Sequence, residues 1–89
     1  MLSFAHWSEI ERQEVSPLID RRVIAGDDLM IVRHDFKQGA VIPVHQHVHE
    51  QISVVKTGRL RIWTVDGEKD LGPDGVACIP SGVPHKAEA

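Results

Sequence analysis

The chain lacks several things, and each lack excludes a class of protein. Its one cysteine, Cys78, leaves no internal disulfide. The setting "GVACIP", with no basic neighbour to lower the thiol pKa, predicts a buried small hydrophobe rather than a reactive group. Positive charge is not concentrated: Lys and Arg number 10 against 13 Asp and Glu, and the net charge is −3. That leaves no electrostatic footprint for DNA, RNA or an anionic membrane. No apolar run approaches the length of a membrane span, so no membrane partner is expected. The start "MLSFAHWSEIER" has neither the basic opening nor the apolar middle of a secretory signal, so the expected location is the cytoplasm. Repeats, low-complexity tracts and linkers are missing too. A chain of 89 residues closes around one core, so one domain is expected.

What is there is a succession of short Val- and Ile-rich segments separated by turn signals, which argues an all-β fold. Strands are expected near 22–25, 29–36, 40–47, 51–57, 59–65, 68–71 and 76–79, with another beginning at His85. "VDGE" at 65–68 carries the Asp-Gly of a tight hairpin, while Gly39, Gly58 and "GPDG" at 72–75 close other segments. "SEIERQEV" at 8–15 has helical character, but Pro17 follows closely, so it reads as a short turn or irregular arm. The expected organisation is an arm over residues 1–20 and a β-barrel domain over 21–89. Along 59–65, alternation turns Leu60 and Ile62 inward and Arg59 and Arg61 outward. Trp63 breaks that pattern and calls for a cover, either the arm or a subunit contact.

In "VIPVHQHVHEQISVV", residues 41–55, His45, His47, His49 and Gln51 share one parity. A straight strand would spread them over roughly 20 Å at about 3.3 Å per residue. Zinc–nitrogen bonds are only about 2.0–2.1 Å, so the chain must turn before these side chains can share an ion. The economical geometry holds His45 and His47 at the end of one strand, turns through Val48, His49 and Glu50, and reopens a strand at Gln51. His49 then sits on the turn and is the least suited of the four. "IPSGVPH" at 79–85 adds a rigid loop of two prolines and a glycine that delivers His85 at a strand start. The plainer alternative makes these histidines ordinary surface or core residues. His6 and His34 fall on no such pattern and are read that way.

These residues resemble the cupin family from about residue 20 onward. Its first motif reads here Gly39, His45, His47, Gln51 and Gly58 with every spacing kept, Gln standing where Glu is usual. Its second reads Pro80, Gly82 and His85, with the usual Gly-Asp swapped as Asp74-Gly75. The resemblance implies an antiparallel jelly-roll barrel. "HVHEQ", the "DGE" hairpin and "IPSGVPH" are similar to the small pectin-degradation cupins of the KdgF type. That likeness implies His45, His47, Gln51 and His85 as ligands of a divalent transition metal: zinc, nickel, iron or manganese. It also implies conversion of an unsaturated uronate to a linear keto sugar acid.

Three imidazoles and an amide leave the ion's charge uncompensated, which favours an anionic partner; the small anionic sugar acid that the resemblance implies fits, as would any small hydroxy or keto acid. No catalytic residue is assigned. Glu50 and Asp35 are carboxylates near in sequence, and Arg33 and Arg61 are cations that could meet a carboxylate. The family continues past its second-motif histidine with strands bearing an Asp-x-Phe and an Arg near the metal, whereas this chain stops at Ala89. The expectation is therefore a C-terminally short barrel that pairs its open edge in a homodimer or a strand-exchanged assembly. Two other readings stand beside the enzyme: a non-catalytic sugar- or metal-binding module, and a metal-dependent dioxygenase.

Overall fold

The computed structural model describes residues 3–89. They form one 3-10 turn, Trp7–Glu9, and nine strands. The chain divides into two compact units, one ending at Gln38 and the other running Gly39–Ala89. Among the described residues no helix is long and apolar enough to cross a membrane.

The first unit is an antiparallel sheet of β1 (Gln13–Ser16), β2 (Ile19–Ala25) and β3 (Met30–Phe36), in that order. The β2–β3 register pairs Ile19 with Phe36 and Val23 with Val32 on one face, and Arg22 with Arg33 on the other. Like charges directly opposite would repel. Asp35 offsets them, its two oxygens lying 3.3 Å from the Arg22 guanidinium and 3.2 Å from that of Arg33. Trp7 lies beneath Arg33, 5.9 Å from guanidinium carbon to ring centroid. Strand β1 falls where an irregular arm was expected. Its residues show no apolar alternation, and polar pairs hold it instead: Arg21 Nε donates to Gln13 Oε1 at 2.7 Å, and Arg12 meets Asp20 at 3.5 Å.

The second unit contains a four-stranded antiparallel sheet in the order β4 (Val41–His45), β9 (His85–Glu88), β6 (Leu60–Thr64), β7 (Gly67–Leu71). It also contains a separate pair, β5 (Gln51–Val54) with β8 (Val76–Ile79). The expected barrel is therefore corrected: the strands are antiparallel throughout, but the described residues form three sheets and no closed one. Pro43, inside β4, cannot donate to a ladder, and the β4–β9 register shifts between Ile42 and His45. Ile62 and Ala87 pair across β6–β9, and with Ala40, Val55 and Ile79 they are the buried apolar residues of this unit. The Val65–Asp66 turn joins β6 to β7, with Gly67 just past it at a φ of 119°.

One side chain lies differently from expectation. Cys78 is exposed, not buried. The reason is parity: Ala77 and Ile79 take the inner side of β8, so Val76 and Cys78 face outward, opposite Val54 and Ile52. An apolar run such as "GVACIP" hides that alternation. Trp63 has charged neighbours, with Lys86 Nζ 4.8 Å and Arg61 Cζ 5.8 Å from its ring centroid.

His34 stacks on Phe36, ring centroids 5.5 Å apart and planes 6° from parallel, and faces Arg21 across the sheet. Desolvation lowers its pKa below the ordinary 6.5 and the Arg21 charge lowers it further, with Asp35 opposing. The folded chain thus prefers neutral His34, and the unfolded chain binds the proton more readily. This contribution to stability is present above pH 6.5 and is lost as pH falls below that value toward the lowered one. Much of the ring remains in solvent, which keeps the effect modest. Urea midpoints measured from about pH 7 down to about pH 5 should fall less steeply for His34→Gln than for the unsubstituted chain; parallel slopes would remove His34 from the account.

Candidate metal centre

The site grows from two strand ends. His45 closes β4, His85 opens β9, and the two are cross-strand partners, so their rings meet with centroids 4.2 Å apart. His47 follows in the loop rather than on a strand, its centroid 5.7 Å from that of His45 and 5.4 Å from that of His85. One potential ligand atom from each of the three lies within 4.8 Å of the others. The chain then bends at Val48 and His49 and re-enters a strand at Gln51, which brings its Oε1 to 2.9 Å from His47 Nε2. Gln51 returns on a strand of a different sheet, so the site is assembled from β4–β9 on one side and β5–β8 on the other.

The loops holding these residues are tied together. Gly82 N–H donates to the His47 carbonyl at 2.8 Å, and the Ser81 hydroxyl donates to the Val48 carbonyl. Gly82 has a φ of 77°, a conformation that side chains resist, so a glycine is required where the second loop turns against the first.

Every ring is oriented by main chain close in sequence. His45 Nδ1 meets the Pro43 carbonyl at 2.9 Å, His47 Nδ1 that of His49 at 2.8 Å, and His85 Nδ1 that of Val83 at 2.9 Å. A carbonyl only accepts, so each Nδ1 carries the hydrogen and each neutral ring offers a lone pair at Nε2. This is how metal-ligating histidines are held: the second nitrogen donates elsewhere and fixes the tautomer.

Two observations test whether the residues suit a cation. His85 is buried, 3 % exposed, and its Nε2 has no hydrogen-bond partner. Leaving such an atom unmatched costs about 1–3 kcal/mol. In addition, Gln51 gives its amide NH2 to Ser53 Oγ at 2.8 Å, which leaves Oε1 facing a His47 nitrogen that is itself an acceptor, 2.9 Å away. Two acceptors at hydrogen-bond distance repel unless positive charge lies with them. The group fits a divalent metal ion on both counts.

Among the described residues the cluster includes no other histidine and no carboxylate. His49 is exposed and contributes its carbonyl, and Glu50 is exposed on the same loop. Asp35 and Arg33 pair with each other in the first unit, and Arg61 lies over Trp63 on the opposite face of β6 from the buried Ile62. His6 accepts from the Ser8 amide at 3.1 Å beside the 3-10 turn. Sequence reasoning passed over Ser53 and Ser81. Ser53 could have been found, since it shares strand parity with Gln51; the carbonyl acceptors have no signature in side-chain identity.

A β-rich fold with histidines from two loops converging at strand ends defines a class, and the comparisons with known proteins agree. Residues 32–89 match the family model described as "Cupin domain", and the chain belongs to that family. It is similar to the "Pectin degradation protein KdgF" of Dickeya dadantii (strain 3937), 36% identical over 67 residues, which are 73% of this chain and 60% of that protein. The match thus spans less than two thirds of that relative. Among solved structures it resembles KdgF from Halomonas sp., with a TM-score of 0.92 and 33% identity over 100% of this chain and 83% of that one. An RmlC-like cupin from Shewanella frigidimarina NCIMB 400, at 23% identity, a TM-score of 0.83 and coverage of 99% and 80%, shares the fold.

A metal held by the folded chain alone stabilises it by mass action, about 2.7 kcal/mol at a free concentration of about one hundred times Kd. Thermal melts with and without Ni2+ should show that gain, and a chelator should reverse it. His85→Ala and His47→Ala should abolish the gain and His49→Ala should keep it. Retention of the gain in His85→Ala and His47→Ala would mean that the cluster is not the binding site.

Proposed function

We propose that this chain is a metal-dependent cupin acting on a small anionic sugar acid, with ring opening and tautomerisation of an unsaturated uronate as the reaction. The carrying observation is the donor set: three imidazoles, each with Nδ1 held by a main-chain carbonyl, and a carboxamide oxygen, at one place. A bound divalent ion would act there as a Lewis acid on a substrate oxygen. His45, His47, His85 and Gln51 would hold it, and their neutrality leaves room for an anionic ligand to complete the charge balance. The name of one relative, a pectin degradation protein, supports the same substrate class.

The second unit also offers space. A cavity of about 490 Å3 is lined by Ile62, Leu71, Ala77 and Ile79, within the usual range for small-ligand pockets. Ile79 is the cross-strand partner of Gln51, and the lining also holds Lys69, Asp66 and Glu68, so its charges are of both signs.

A second reading, a binding module without turnover, is favoured by one observation: among the described residues no carboxylate joins the histidine cluster to carry a proton. One assay separates the two. Metal-loaded protein is mixed with an unsaturated monouronate while ultraviolet absorbance is followed, and calorimetry is run in parallel. The enzyme reading expects the absorbance of the double bond to decay faster than in a protein-free control, and His85→Ala to remove the difference. Binding heat with the sugar recovered unaltered would establish the module instead.

A further inference from the structure

We infer that Ser53 is a positioning residue of the metal centre, presenting the oxygen end of the Gln51 carboxamide to the histidines. The inference rests on the metal reading above and goes beyond it, because it concerns how a neutral ligand is made to offer the correct atom.

A carboxamide has two ends of nearly the same shape and opposite chemistry: the oxygen accepts and can ligate, the NH2 donates and cannot. The histidine side of the site does not by itself select the oxygen. His47 commits Nδ1–H to the His49 carbonyl at 2.8 Å, so its Nε2 is an acceptor and, without a cation, would attract the NH2 end. The opposing pull comes from Ser53. Its Oγ takes the Gln51 NH2 at 2.8 Å, and Oε1 is then the end that faces His47 at 2.9 Å.

Local structure supports that contact. Gln51 and Ser53 are two apart on β5, hence on one face, and the β5–β8 ladder sets them opposite Ile79 and Ala77. Neither partner side chain carries a polar group that would compete for the hydroxyl. Gln51 and Ser53 are both partly buried, so water is a poor substitute for either end of the bond.

The bond has a directional consequence. Electron density withdrawn from the amide oxygen by a cation makes the NH2 a stronger donor, so the bond to Ser53 strengthens when the site is loaded. Its removal therefore weakens the loaded form more than the free form. A carboxylate at position 51 reverses the logic: it has no NH2, either oxygen can ligate, and Ser53 can only donate to it and draw charge away from the metal. The serine is useful to the amide and useless or slightly harmful to an acid.

The test uses the full chain and Co2+, with affinity from competition against a chromophoric chelator and the visible cobalt absorption as a signature of ligand geometry. Ser53→Thr and Ser53→Val have the same shape and differ in the hydroxyl, and both suit a strand. Circular dichroism and melting without metal establish that each variant folds. Ser53→Val should lower Co2+ affinity about tenfold, the usual lower bound for losing an orienting partner, and alter the cobalt band. Ser53→Thr should stay within about threefold of the unsubstituted chain, short of that bound. Combined with Gln51→Glu, Ser53→Val should cause no loss. Equal affinities for the Val and Thr variants, or the same loss with and without Gln51→Glu, would overturn the inference. Failure of the unsubstituted chain to bind Co2+ would overturn the metal reading itself, and this inference with it.

Discussion

Three short hydrogen bonds from imidazole Nδ1–H to main-chain carbonyls are the constraint on which the rest of the site depends. Each joins a histidine to a residue two positions away, so the local path of the chain sets the ring without help from distant side chains. The tautomer follows from the acceptor, and the direction of the free lone pair follows from the tautomer. A backbone that strayed at Pro43, His49 or Val83 would turn a ligand into an ordinary surface imidazole.

That local control has to be matched by control between segments, because the four residues come from two sheets. The β4–β9 ladder sets His45 opposite His85, while Gln51 belongs to the β5–β8 pair. The clasp between loops, Gly82 on the His47 carbonyl and Ser81 on that of Val48, fixes the turn carrying His47 against the loop that delivers His85. The glycines and prolines of "IPSGVPH" therefore act on the chemistry through the backbone. They hold a carbonyl and an amide in place more than they shape a surface.

How much of this was legible in the sequence depended on whether a feature lives in side-chain pattern or in backbone pairing. The turn between His45 and Gln51 could be deduced because a straight strand is too long for shared ligands, and His85 could be located because Pro and Gly frame it. Ser53 was open to the same parity argument. Strand β1 was not, since Gln13–Ser16 alternate no apolar residues and are held by polar contacts to β2. Closure of the sheets was not legible either. Which strand edges find each other is a long-range matter, and the β4–β9 register shift near Pro43 has no counterpart in periodicity. Cys78 misled because four successive apolar residues, Val76 to Ile79, look uniformly buried when only alternate ones are.

The outward placement of Cys78 has a practical side. It is the sole thiol of the chain, it is exposed, and it pairs across the sheet with Ile52, the neighbour of Gln51 in β5. Side chains of adjacent strand residues leave opposite faces, so a fluorophore or spin label attached there would ride on the same strand pair as the proposed ligand Gln51 while projecting away from it. The fold thus carries its own attachment point for a probe, on the strand that pairs with that of Gln51 and on the face its side chain does not take.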